Sequence, residues 1–100
     1  MKSLLVLWSA IFFLSSSYAK EHMVVIESMK FEPKELTVKK GDTITWINKD
    51  FFPHTATSLK NFNSKGIPAG KSWTYKANTV GQFPYKCLFH PPMKATLIVE

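Results

Sequence analysis

The stretch Phe83-Pro84-Tyr85-Lys86-Cys87-Leu88-Phe89-His90-Pro91-Pro92-Met93, running on into Lys94-Ala95-Thr96-Leu97-Ile98-Val99, decides how the chain folds. Successive side chains on a strand point to opposite faces. Phe83, Tyr85 and Cys87 therefore share one face, and the sulfur points into the same core as the two rings. After one short loop Ala95, Leu97 and Val99 share a face again, so strand, loop and strand read as a neighbouring pair with its apolar sides inward. Pro84 has no N–H to donate, which confines that part of its strand to an edge or to a non-bonded position.

Working outward, the chain from His22 reads as short strands between turns, with no convincing helical period. Met23 to Ser28 is a β-branched run; Leu36 and Val38 face one way across Thr37; Gly41-Asp42 signals a turn before the strand Thr43 to Ile47, in which Ile44 and Trp46 align. Asn48 to Pro53 reads as a loop and His54 to Ser58 as a further short strand. Leu59 to Gly70, with Asn61, Asn63, Gly66 and Pro68, is the longest irregular segment. Lys71 to Lys76 alternates cleanly and is expected to bury Trp73 and Tyr75. Short strands with turns between them and no crossover helices indicate an all-β antiparallel sandwich or barrel.

The first nineteen residues belong to a different class. Lys2, an apolar run from Leu4 to Leu14, and Ser15 to Ala19 give the positive, apolar and small-residue parts of a secretory signal peptide, with cleavage expected near Ala19. The run is well short of the roughly 20 residues that span a bilayer, so no stable membrane insertion is expected. The mature domain is then residues 20 to 100, small enough for a bound metal to matter to its stability. One cysteine in an exported chain makes no internal disulfide, which leaves Cys87 as a free thiol, an intermolecular bridge or a metal ligand. All 13 basic residues are lysines, and the net charge of +6 falls to +5 without Lys2. Without an arginine fork, and with the lysines scattered, nucleic-acid binding is a poor reading; the charge instead suits solubility and attraction to an acidic partner.

Taken singly, the potential donors are unremarkable: Cys87 reads as a core thiol and Met93 as a gap filler. Together Cys87, His90 and Met93 put a thiolate, an imidazole and a thioether within seven residues, and His54, preceded by Pro53, adds a second imidazole. Pro91 and Pro92 restrict the backbone between two of the donors and lower the entropy lost in holding them. Zinc remains compatible with part of this set, but structural zinc takes cysteine and histidine, so the methionine favours copper. A catalytic pair, Cys87 as nucleophile with His90 or His54 as base, is the rival chemistry; an inward-facing strand cysteine is poorly placed for it.

The segments Phe31-Glu32-Pro33, Leu36-Thr37-Val38, Gly41 to Asn48, Pro53-His54, Gly81 to Cys87 and His90 to Met93 together resemble the cupredoxins, the type 1 blue copper proteins, over essentially the whole mature chain. Within the amicyanin and plastocyanin-like group, two residues between Cys87 and His90 and two between His90 and Met93 resemble amicyanin, since plastocyanins have a longer interval before the methionine. The resemblance implies a Greek-key β-sandwich of about seven short strands. It also implies a single copper ion cycling between Cu(II) and Cu(I), held by His54, Cys87 and His90 near a plane and by Met93 as a long axial ligand. Two departures stand out: Thr55 occupies the place where the family commonly has an asparagine tying the two ligand loops, and the chain is short through Leu59 to Gly70.

On that footing the expected function is periplasmic electron transfer by a monomer, without enzymatic activity of its own. Donor and acceptor redox proteins would dock transiently at an apolar rim around His90, made of Phe51, Phe52, Pro53, Phe89, Pro91 and Pro92. A copper carrier that uses the same ligands for delivery is the alternative, and an unmetallated binding module a third reading. Cleavage after Ala19 would also leave Lys20-Glu21-His22 at the amino terminus, a possible square-planar nitrogen site for Cu(II) centred on His22.

Overall fold

The computed structural model describes residues 18–100, so the expected leader lies outside the described residues except for Tyr18 and Ala19. Nine strands and no helix make up the described part: β1 (Glu21–Glu27), β2 (Lys30–Glu32), β3 (Glu35–Val38), β4 (Thr43–Asn48), β5 (Thr57–Ser58), β6 (Phe62–Asn63), β7 (Ser72–Lys76), β8 (Gly81–Cys87) and β9 (His90–Val99). They form two sheets, ordered β2-β1-β4-β7 and β3-β9-β8-β5-β6.

The chain changes sheet five times, between β2 and β3, β3 and β4, β4 and β5, β6 and β7, and β7 and β8. Such crossings bring strands together in either direction, and the expected purely antiparallel arrangement is corrected accordingly. β1 runs parallel to β4, with Val24 beside Trp46, and β3 runs parallel to β9, with Leu36 beside Leu97. The hairpin read from the sequence is present as β8 against β9, with Phe83 opposite Leu97 and Tyr85 opposite Ala95.

Alternation fills the space between the sheets. Val24 and Ile26 from β1, Ile44 and Trp46 from β4, Tyr85 and Cys87 from β8, and Met93, Ala95, Leu97 and Val99 from β9 are all buried. Trp46 is the central ring: Phe62, Trp73 and Tyr85 have centroids 5.5, 5.5 and 5.6 Å from it. Trp73 and Tyr75 are only half-buried, against expectation, because β7 is the outer strand of its sheet and has β4 on one side alone. Pro84 is tolerated in β8 because β5 meets that strand only at Lys86, which leaves the proline's missing N–H with no ladder position to fill.

The first strand is fastened by a buried carboxylate. Asp42 accepts the backbone N–H of Lys20 and of Lys39, each at 2.9 Å, and its other contact is the His22 Nε2 at 2.9 Å. His22 thus belongs to this latch, and Glu21 and His22 are paired in register with Thr43 and Ile44. A square-planar copper chelate through the amides of these residues would require peeling them out of the strand, so the structure gives no support to an amino-terminal copper site.

The hydrogen bond with His22, followed by those from Lys39 and Lys20, outweighs the effect of burial and lowers the Asp42 carboxyl from 3.8 to about 2. A carboxyl depressed by folding stabilises the folded state above its unfolded value, and that stability is lost as pH falls through the folded value. Asp42 therefore contributes a loss of stability on acidification from roughly pH 4 to pH 2. Thermal unfolding of the metal-free Asp42→Asn variant across that window is expected to lack this part of the acid decline. A variant whose midpoint falls with pH as steeply as the parent's would exclude the assignment.

Candidate metal centre

Cys87 and His54 meet where β8 ends. His54 lies just outside β5, and a backbone bridge holds it: His54 N–H donates to Ile67 O at 3.2 Å and Ile67 N–H to His54 O at 2.7 Å. The expected strand from His54 to Ser58 is thus shorter, with pairing as a strand only at Thr57 and Ser58. Asn48, the last residue of β4 and fully buried, sets the loop that follows. Its Nδ2 donates to Phe52 O and to Ile67 O, both at 2.9 Å, and its Oδ1 accepts the Asp50 N–H at 2.9 Å.

The His54 ring is buried and held from both sides. Its Nδ1 lies 3.6 Å from the Cys87 Sγ, and its Nε2 lies 2.7 Å from Asp50 Oδ2. Phe52 packs edge-on against it at 5.1 Å. Cys87, fully buried at the end of β8, also accepts the Thr55 backbone N–H at 3.4 Å. The Thr55 hydroxyl in turn accepts the Leu88 N–H at 2.9 Å, so Thr55 ties the two donor-bearing segments from its main chain and its side chain together.

Met93 is buried on the inward face of β9, and His90 is half-buried as the first residue of that strand, paired with Cys87 across an irregularity at Lys86/Cys87. The expected loop from Cys87 to Met93 is therefore a tight turn at Leu88 and Phe89 followed directly by strand. The structure brings Cys87 and His54 into contact. Among the described residues it does not gather three His, Cys, Asp or Glu side chains into one metal-holding group, and His90 stands apart from the pair.

The donor set fits copper. Donors held roughly 2.0 to 2.3 Å from one ion can lie 3.6 Å apart, so the thiol and the imidazole need not separate to share a metal. Sulfur from Cys87 and from the buried Met93 gives the soft character that favours copper over zinc.

Asp50 was not singled out from the sequence. Its carboxylate accepts the N–H groups of Ser28 at 2.7 Å and Met29 at 3.0 Å while meeting His54. Ser28 and Met29, with φ of 54° and 61°, are the left-handed two-residue turn between β1 and β2, so one side chain joins that hairpin to the histidine. Burial raises the Asp50 carboxyl, but the bonds from Met29, His54 and Ser28 outweigh it and hold the group below its ordinary value. Asp50→Asn would turn an NH2 group toward at least one of these donors. It is expected to weaken copper binding about 10- to 100-fold, the usual range for groups that orient a ligating histidine. A competition titration with a copper chelator measures this, and unchanged affinity would remove Asp50 from the centre.

The sequence profile of the family described as Cupredoxin-like domain matches residues 3–99. Amicyanin of Paracoccus denitrificans is 38% identical over 84 residues, covering 78% of this chain and 64% of that protein, so the chain spans just under two thirds of that relative's length. Plastocyanin of Scenedesmus fuscus is 32% identical over 88 residues, covering 73% of this chain and 89% of that protein. A Cu(I) structure of an amicyanin mutant superposes with a TM-score of 0.76 at 29% identity, over 80% of this chain and 82% of the other. Because the family match takes in the His54 loop and the whole of β8 and β9, the chain belongs to the cupredoxin-like domain family.

Proposed function

We propose that this protein is an exported, periplasmic electron carrier in which His54, Cys87, His90 and Met93 hold one copper ion. The observation that carries the reading is the buried contact between the Cys87 sulfur and the His54 imidazole, with Nδ1 facing the sulfur and the opposite nitrogen already engaged by Asp50. Cys87 binds as thiolate, so its proton leaves as metal enters. His90 is half-buried and paired through its backbone with Cys87 across the β8–β9 turn, so it enters the centre from the same turn as the sulfur. Copper, when bound, supplies the one-electron couple.

The protein's part is to keep the donors close and dry in both oxidation states. Asn48, Asp50 and the His54–Ile67 bridge fix one donor segment, and the β8–β9 pairing fixes the other. Phe51, 97% exposed, Phe89, 61%, Phe52, 48%, and Leu88, 47%, stand at the end of the molecule that carries His54 and His90. With Pro53, Pro91 and Pro92 they form an apolar surface suited to brief docking of a redox protein. Leu88 was not foreseen in this rim; as an apolar residue in the turn beside Cys87 it reads from sequence as packing.

Copper titration of the purified protein, followed by voltammetry and by challenge with a Cu(I) chelator, tests the reading. One copper per chain, a reversible one-electron wave and retention of Cu(I) are the results expected of an electron carrier. Rapid loss of Cu(I) to the chelator would replace this reading with copper delivery.

A further inference from the structure

The Thr55 hydroxyl is one end of a chain of hydrogen bonds that leaves the metal centre altogether. It lies 3.0 Å from the Thr57 Oγ1, which donates to Asn63 Oδ1 at 3.0 Å. Asn63 Oδ1 also accepts the Lys65 backbone N–H at 2.8 Å. Both threonines are buried, Thr55 at 1% and Thr57 at 9% exposure.

The direction of every bond follows from what each group can do. A backbone N–H only donates, so the Asn63 atom facing Lys65 must be the amide oxygen, and that oxygen only accepts. Thr57 has one proton and spends it on Asn63, so its oxygen must accept from Thr55. The single proton of Thr55 is thereby committed to Thr57, and its lone pairs are left to the Leu88 N–H. Leu88 directly follows Cys87, and Thr55 N–H itself donates to the Cys87 sulfur. A side chain on the irregular segment between residues 59 and 70 thus decides which way a hydroxyl beside the thiol points.

We propose that Thr57 and Asn63, which hydrogen-bond to Thr55, to each other and to Lys65 rather than to the four donors, are positioning residues for Cys87. They orient the Thr55 hydroxyl so that it anchors Leu88 and, through it, the sulfur. For the copper-loaded protein the inference rests on Cys87 being a ligand; for the metal-free protein it does not. Thr57→Val keeps the shape but removes both the acceptor for Thr55 and the donor to Asn63. The freed Thr55 proton then has no fixed acceptor, and its oxygen no longer presents a constant lone pair to Leu88. Asn63 is exposed, so Asn63→Ala tests the same chain with little burden on folding, and Thr57→Ser and Asn63→Asp restore it.

The experiment pairs two readouts. In the metal-free protein, amide hydrogen exchange at Leu88 should speed up roughly five- to tenfold in Thr57→Val and Asn63→Ala, the range expected for loss of one net hydrogen bond. It should return to the parent rate in Thr57→Ser and Asn63→Asp. In the copper-loaded protein the thiolate-to-copper absorption and the reduction potential should shift in the first two variants and recover in the second two. If the parent shows no thiolate-to-copper absorption, the copper reading fails while the exchange data still decide the hydroxyl chain. Unchanged Leu88 exchange in both Thr57→Val and Asn63→Ala overturns the proposal.

Discussion

Replacing Cys87 with serine is expected to abolish the intense visible absorption of the copper-loaded protein and to remove most of the stability that copper confers, while leaving the metal-free fold close to that of the parent. The side chains are nearly the same shape, and the Thr55 N–H that reaches the sulfur at 3.4 Å can donate to a hydroxyl as well. The metal-free cost should therefore stay near about 1 kcal/mol, as for exchange of one weak hydrogen-bonded group for another. Copper binding is different on the proposed ligand set, which draws on the thiolate, because a serine hydroxyl stays protonated at neutral pH. A ligand that binds only the folded state stabilises it by about 4 kcal/mol at a thousandfold excess over its Kd. In a domain of this size each kcal/mol moves Tm by about 4 to 8 °C, so copper should raise the parent's Tm by at least about 16 °C. The variant should show a small fraction of that. Calorimetry with and without copper, run beside a visible spectrum, measures both. A Cys87→Ser protein that kept the colour would remove the thiolate from the centre and leave the donor assignment without its anchor.

That the sequence exposes Cys87 so clearly, and Asp50 not at all, has a physical reason. Cys87 is read from alternation, since Phe83, Tyr85 and Cys87 are spaced to fall on one face, and two of the three are buried as that spacing requires. Alternation also placed Ile44, Trp46, Leu97 and Val99 correctly. It carries no information about strand direction, so the parallel pairs β1 with β4 and β3 with β9 were not visible in it. Nor does it say where a strand sits in its sheet, which is why Trp73 and Tyr75, on the outer strand β7, are less buried than their pattern promised. Asp50 stands in a loop beside Lys49, where a charge ordinarily faces water. Its partners are backbone N–H groups at Ser28 and Met29, and any residue in that turn would offer the same donors.

The segment from Leu59 to Gly70 was opaque for the same reason. It reaches the centre through main-chain atoms, Ile67 N–H and O against His54, and through the amide oxygen of Asn63 at the end of a hydroxyl chain. Main-chain bonds leave no residue signature. Position 55 holds a threonine where the family commonly has an asparagine that ties the two ligand loops. The threonine there makes the tie with its backbone to the sulfur and its hydroxyl to Leu88, so the departure in sequence preserves a connection in space.

The largest effect on the fold itself is expected at Trp46, which is fully buried between the sheets and packed against Phe62, Trp73 and Tyr85. Trp46→Ala should cost about 3 to 5 kcal/mol, the transfer term plus the cavity left behind. A domain of this size has a total stability of only about 4 to 12 kcal/mol, so the metal-free variant should be largely unfolded or close to it at 25 °C. Copper would offset the loss by about 4 kcal/mol at a thousandfold excess over Kd, so the same variant should regain cooperative unfolding when loaded. Trp46→Phe separates packing from polarity. The indole Nε1 is buried with no well-formed hydrogen bond and only a weak interaction with the Tyr85 side chain, so phenylalanine relieves part of the roughly 1 to 3 kcal/mol that an unsatisfied buried donor costs while keeping a ring against its neighbours. The smaller ring leaves a void worth about 1 kcal/mol, so the two effects nearly cancel and Trp46→Phe should fall within about 1 to 2 kcal/mol of the parent. Urea unfolding of metal-free and copper-loaded forms of both variants makes the comparison. If Trp46→Phe were as damaging as Trp46→Ala, the shape of the indole rather than the filling of the core would be what this position supplies.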